Sequence, residues 1–261
     1  MTSTVLPAAT SHAASHAAWD EPDGLAPRGT LILLPGRGES AATYGRLGRR
    51  LSADAYKVRY VEIDLDDLDA ARDRVADLLD DADLPAPKVL LGADTGAAVA
   101  AALAADPRVD AAVIAGLALP SADTAGSGIS GSETPQSAGS TDWDAELEAR
   151  SACPAHRRVL SEDPEFDRGS LSLPVPPGLV PAPTDKPVLV LHGSADPVTL
   201  AADAFDEFRD VDGAELRLIT GAHHDVLNDL SHRSVAATVI LFLEHLKLGA
   251  GAPAIVHQIP R

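Results

Sequence analysis

Cysteine is almost absent. Cys153 is the only one in 261 residues, which excludes an intramolecular disulfide and every zinc centre built on several thiolates. Long apolar runs are missing as well: no stretch reaches the roughly eighteen apolar residues of a membrane span. The first nineteen residues offer neither a positively charged start nor the apolar segment of a secretory signal. A soluble, cytoplasmic chain without a membrane span is expected. Positive charge is scarce, 21 Lys and Arg against 39 Asp and Glu for a formal net charge of −18. Phosphate backbones and anionic lipid are held by clustered Lys and Arg, so nucleic acid is not expected as a partner. The acidity itself bears on solubility and says little about fold.

With 45% of its residues hydrophobic, the chain is long enough to bury a substantial core. Residues 1–28 show no apolar period and read as a flexible lead-in. From Gly29 onward a unit repeats: a short β-branched or Leu-rich run, a loop carrying Gly or Asp, then an amphipathic stretch. The runs Thr30 to Leu34, Lys57 to Asp64, Lys88 to Leu91, Ala111 to Gly116, Pro187 to His192 and Glu215 to Thr220 are expected strands. Helices are expected over Tyr44 to Ala53, Leu68 to Asp81, Gly96 to Ala105, Ala201 to Arg209 and Ser231 to Leu248. Strands alternating with helices make an α/β fold, a mostly parallel, doubly wound sheet covered on both faces.

One segment breaks the alternation. Ser121 to Thr141 is rich in Ser, Gly, Ala and Thr, and is followed by a helical stretch, Trp143 to Ser151, and a Pro-rich return, Pro174 to Pro183. Residues 121–185 therefore read as a cap or lid inserted into a core formed by residues 29–120 and 186–250.

Three strand ends carry the chemistry. Lys88-Val-Leu-Leu-Gly92-Ala93-Asp94-Thr95-Gly96 is a buried strand turning through two glycines into a small-residue helix, the Gly-x-nucleophile-x-Gly pattern of a nucleophile elbow with Asp94 at its centre. Read alone, Asp there is equally a helix cap. Asp196 then follows the strand ending at His192, and His223 and His224 follow the next. Nucleophile, acid and histidine in that order, each past the C-terminal end of a strand, is the order of the α/β-hydrolases.

The chain at this point resembles the α/β-hydrolase superfamily, and within it the monoacylglycerol lipase and lysophospholipase group. Pro35-Gly36-Arg37-Gly38-Glu39-Ser40, with Tyr44 after it, is similar to that group's His-Gly-x-Gly-Glu-His-x-x-x-Tyr loop. His192-Gly193-Ser194-Ala195-Asp196 is similar to its acid loop, and Gly221 to Asp229 to its Gly-x-x-His-Glu-x-x-Asn-Glu segment, which singles out His224 rather than His223. The resemblance spans residues 29–116 and 186–248. It implies a catalytic triad of Asp94, Asp196 and His224, with the backbone N–H groups of Arg37 and Thr95 as the oxyanion hole. No motif points to a metal or an organic cofactor, and the partner expected is a small-molecule substrate.

The departures shape the reading. Asp94 stands where the group has Ser, and a carboxylate attacks saturated carbon to give an alkyl ester, whereas attack on an ester carbonyl would give an anhydride. Haloalkane dehalogenases and epoxide hydrolases resemble the chain in using such an Asp. Yet Thr95 replaces the halide-binding residue that follows the nucleophile in dehalogenases, and no tyrosine follows Tyr60 to protonate an epoxide. Trp143 and His156 are the cap residues that could substitute, although packing is the plainer role for both, and Glu39 is expected to hold its loop. An Asp-based hydrolase is the leading expectation. A carboxylesterase or lysophospholipase-like lipase, and a non-hydrolytic binding member of the fold, remain alternatives.

Overall fold

The structure, a computed structural model, describes residues 17–120, 143–249, 252–257 and 259. The strands are β1 (Ala18–Trp19), β2 (Gly29–Leu34), β3 (Tyr56–Tyr60), β4 (Lys88–Ala93), β5 (Ala111–Ala115), β6 (Val188–Gly193) and β7 (Ala214–Ile219). They form one sheet in the order β1-β3-β2-β4-β5-β6-β7. Every pairing is parallel except that of β1 with β3. Strands β2, β5 and β6 are buried along their whole length, as the unbroken apolar runs require when both faces are covered.

Side chains alternate between two cores. Leu31, Leu33, Val89, Leu91, Val113 and Leu189 pack beneath α1 (Gly45–Ala53) and α7 (His232–Leu246), whereas Ile32, Leu34, Leu90, Ile114 and Val190 pack beneath α2 (Leu68–Asp80), α3 (Asp94–Leu103) and α6 (Ala201–Asp206). The chain runs from β2 outward to β3 and then returns to the other side of β2 for β4. The order of the strands therefore reverses between β2 and β4, and the crevice beyond their C-terminal ends is where a doubly wound sheet places its ligand.

Three local differences from the sequence reading have physical reasons. Within the lead-in, Ala18 and Trp19 pair with Arg59 and Val58. Trp19 lies over α1 so closely that a Cβ on Gly48 would come within 2.3 Å of its ring, which covers the edge of β3 with apolar area. The strand expected to reach Asp64 ends at Tyr60, because the acidic residues after it leave the sheet. The described part of the segment expected as a cap holds α4 (Trp143–Arg150) and a second helix, α5 (Pro154–Glu162). Helix α5 opens with Pro at a position where its missing N–H costs nothing, and it turns His156 and Leu160 inward. The Gly- and Ser-rich stretch from Ser121 to Thr141 lies outside the described residues. Among the described residues, no helix is long and apolar enough to cross a membrane.

Candidate active site

Strand β4 runs into α3 without a loop, and Asp94 at the junction has φ +49°, a left-handed conformation that costs a non-Gly residue energy. The flanking glycines make this turn possible. A Cβ at Gly92 would lie 2.2 Å from the Gly96 carbonyl oxygen, and one at Gly96 would lie 2.3 Å from the Leu34 carbonyl oxygen. Helix α3 is thus pressed against β2 and β4, and the Asp94 side chain projects at the C-terminal edge of the sheet.

The loops after β6 and β7 meet it there. His224 Nε2 is 3.0 Å from Asp94 Oδ1, and His224 Nδ1 is 2.8 Å from Asp196 Oδ2. All three side chains are buried. His223 turns the other way, toward Asp229. Asp229 also accepts from the backbone of His223 and Ala152 and from the Ser151 hydroxyl, so it fixes the histidine loop against the cap. Asp196 is held through Oδ1 by the N–H groups of Val198 and Thr199. Its other oxygen lies 2.9 Å from His192 Nε2. His192 was visible in the acid-loop motif, but sequence offered no signal that it turns back onto Asp196.

Arg37 supplies more than the backbone group expected of it. Its N–H donates to Asp94 Oδ2 at 2.7 Å, the contact foreseen for an oxyanion donor. Its side chain also forks onto the same carboxylate, with Nε 2.9 Å from Oδ2 and Nη2 2.7 Å from Oδ1. Nη1 donates to the carbonyl of Leu173 in the cap. Thr95 is buried in the first turn of α3, where backbone N–H groups have no partner within the helix. Its hydroxyl has no hydrogen-bond partner among the described residues.

Behind this layer sits a second buried cluster centred on Arg150, which is wholly buried. Arg150 Nη2 donates to the carbonyl of Arg37 at 2.8 Å and to Glu146 at 3.0 Å. Nη1 lies 3.8 Å from Glu39 and 3.7 Å from Asp225. Glu39 accepts from the Gly36 N–H and from Tyr44, the loop-holding part expected of it. His156 pairs with Asp225 at 2.9 Å, and Trp143 packs on Phe166; neither contacts Asp94. Glu39, His156 and Asp225 present ligand atoms within 4.8 Å of one another, but the guanidinium of Arg150 already supplies the positive charge that a cation would bring there.

The charges are strongly coupled. Burial disfavours the imidazolium of His224, yet the hydrogen bonds from Asp196 and Asp94 outweigh it and lift the pKa to about 10. Burial likewise opposes ionisation of Asp94, but His224 and Arg37 hold its pKa well below the usual carboxylate range. Asp196 is held low in the same way by His192 and His224. Glu39 goes the other way: burial and the neighbouring Asp225 raise it to about 8. Proton linkage turns these shifts into a stability profile. Both raised groups bind their proton more tightly folded than unfolded. Glu39 contributes fully below about 4.5 and loses its contribution as the pH climbs through about 8. His224 contributes fully below about 6.5 and loses its contribution through about 10. The depressed aspartates contribute above about 3.8 and lose their contribution as the pH falls through their lowered values. The melting temperature is therefore expected to peak at mildly acidic pH and to fall toward alkaline pH, with a limiting slope of ~1.4 kcal/mol per pH unit for each titrating group. Glu39→Gln should flatten the lower part of that fall. A profile level from about pH 5 to pH 9 would contradict these assignments.

Against known proteins, no family model matches the chain and no curated protein sequence does. Solved structures match closely in shape. The chain is 15% identical to a soluble variant of monoglyceride lipase from Saccharomyces cerevisiae (TM-score 0.63), covering 88% of this chain and 91% of that one. It is 18% identical to the monoacylglycerol lipase of Paleococcus ferrophilus (TM-score 0.63), covering 88% and 98%. The chain has the α/β-hydrolase fold. The enol-lactonase from Burkholderia xenovorans shares it too, at 17% identity and a TM-score of 0.57 over 88% of this chain and 95% of that one. An α/β-hydrolase scaffold that carries both lipases and a lactonase does not by itself name a substrate, so function has to be argued from the site.

Proposed function

We propose that this α/β-hydrolase-fold chain is a cofactor-free hydrolase of small organic substrates, with Asp94 as nucleophile, His224 as base and Asp196 as the residue that orients His224. One observation carries the reading: the Asp94 carboxylate sits at the strained elbow with Oδ2 on the Arg37 N–H and Oδ1 against His224. That is the division of labour an attacking carboxylate needs. Oδ1 displaces the leaving group from a saturated carbon, forming an ester and releasing the leaving group with its bonding electron pair. Oδ2 becomes the ester carbonyl oxygen and already rests on the donor that would stabilise it as an oxyanion, the Arg37 N–H; the Thr95 N–H is the second donor assigned to that oxyanion. Water then adds to that carbonyl carbon as His224 takes its proton. The intermediate collapses, the same proton passes from His224 to the departing alkoxide, and the carboxylic acid left on Asp94 gives its proton back to His224, which restores the starting pair.

The two positions of charge explain how one histidine serves both steps. While Asp94 is ionised, His224 lies between two carboxylates and holds its proton. Esterification removes one of them, which lowers the affinity of His224 for that proton, so the proton leaves to solvent with the released anion and His224 becomes free to act as base. A second reading, a non-hydrolytic binding member of the fold, draws on the saturation of both Asp94 oxygens by Arg37.

Single turnover in heavy-oxygen water separates them. With enzyme in excess over a haloalkane or epoxide, the covalent route leaves the heavy oxygen on the peptide containing Asp94, and the first product carries none. Product labelled directly, with an unlabelled peptide, would overturn the nucleophilic assignment, and absence of turnover across the panel would favour the binding protein.

A further inference from the structure

Esterification of Asp94 leaves one buried positive charge without its partner. Arg37 is buried, and its counter-ion in the structure is Asp94 itself, through Nε and Nη2. When Asp94 becomes a neutral ester, that counter-ion disappears, and a buried guanidinium without a partner is strongly disfavoured. The same step creates one new negative charge, on the leaving group. Nη1 and Nη2 each make a single hydrogen bond, to Leu173 and Asp94 respectively, so each keeps one N–H without a partner among the described residues. The site therefore has both the charge and the free donors to receive a small anion beside the carbon under attack.

On this basis, and resting on Asp94 as nucleophile, we infer that the Arg37 side chain binds the departing anion, and that the substrates are neutral molecules whose leaving group leaves as a stable monoanion, such as alkyl halides. A guanidinium does not give up a proton near neutrality. It stabilises a weakly basic anion well, but it cannot protonate the alkoxide released from an epoxide. Arg37 thus fills the place left open by Thr95 after the nucleophile, and leaves unfilled that of the cap tyrosines. The face beside the Arg37 loop is acidic: a groove of about 740 Å³ there has Glu62, Asp64, Glu165 and Asp167 in its lining and, among the described residues, no Lys or Arg, a field that disfavours the approach of an anionic reactant from that side. Asp94, Arg37 and His224 are not part of that lining.

Asp94→Asn tests the inference without turnover, because the amide has nearly the shape of the carboxylate and the neutrality of the ester. The probe is chloride, followed by broadening of its chlorine-35 resonance as protein is added. Asp94→Asn should broaden the line saturably and bind chloride roughly tenfold more tightly than the wild type, whose Arg37 is already paired. The double variant Asp94→Asn/Arg37→Met should return to the wild-type level. Equal broadening by the single and double variants would overturn the inference, as would the absence of any saturable response. Asp94→Ser, also uncharged, serves as the second reporter should the Asn variant not fold. The outcome stands apart from the heavy-oxygen experiment. Label on the Asp94 peptide together with chloride binding indifferent to Arg37 would leave the nucleophile in place and remove the leaving-group role. Epoxides labelling that peptide faster than alkyl halides would remove it as well.

Discussion

His224→Gln is expected to stop the reaction between its two halves. Asp94 needs no base to attack a saturated carbon, so the variant should still consume one equivalent of substrate and gain the mass of the transferred group. Hydrolysis of that ester needs a proton taken from water, and losing a positioned general base costs on the order of 10² to 10⁴ in rate. Intact-mass measurement during turnover should therefore show an adduct that persists in the variant and is fleeting in the wild type. The fold should survive the change, since each carboxylate keeps a partner: Asp94 retains Arg37, and Asp196 retains His192. If the wild type turns over a substrate and the variant never accumulates an adduct with it, the covalent mechanism is wrong.

How far sequence alone reaches follows from the range of each interaction. The sheet was legible because strands buried on both faces must be continuous apolar runs, and the glycines at 92 and 96 mark a turn that admits no Cβ. The convergence of Asp94, Asp196 and His224 was legible because parallel strands place all their C-terminal ends along one edge. The preference for His224 over His223 rests on the loop motif; in the structure His224 lies between Asp94 and Asp196, and His223 turns to Asp229. Side chains that cross from one loop to another were not legible. The loop motif points only to the backbone N–H of Arg37, because nothing in its neighbourhood of sequence says that its guanidinium folds back onto a residue 57 positions away. Arg150 belongs to no motif, although its i,i+4 pairing with Glu146 is a pattern a sequence can show. What no pattern shows is that this pair is buried. Its burial depends on where the cap docks, which is a property of the whole fold.

Arg150→Met is the substitution expected to cost the most stability. The methionine can replace much of the packing, so the loss isolates the charge. Arg150 is the cation facing Glu39, Glu146 and Asp225 in a space closed to water, and removing one partner from a buried ionic cluster costs about 3 to 5 kcal/mol. Urea unfolding should show that loss at neutral pH. Activity should also fall, since Arg150 holds the carbonyl of Arg37 and with it the N–H that supports Asp94. Adding Glu146→Gln and Asp225→Asn removes the uncompensated charges while keeping their volumes, and should restore a good part of the stability but not the activity. A destabilisation under about 1 kcal/mol, or a triple variant no more stable than Arg150→Met alone, would mean that packing rather than charge holds the cap against the Arg37 loop.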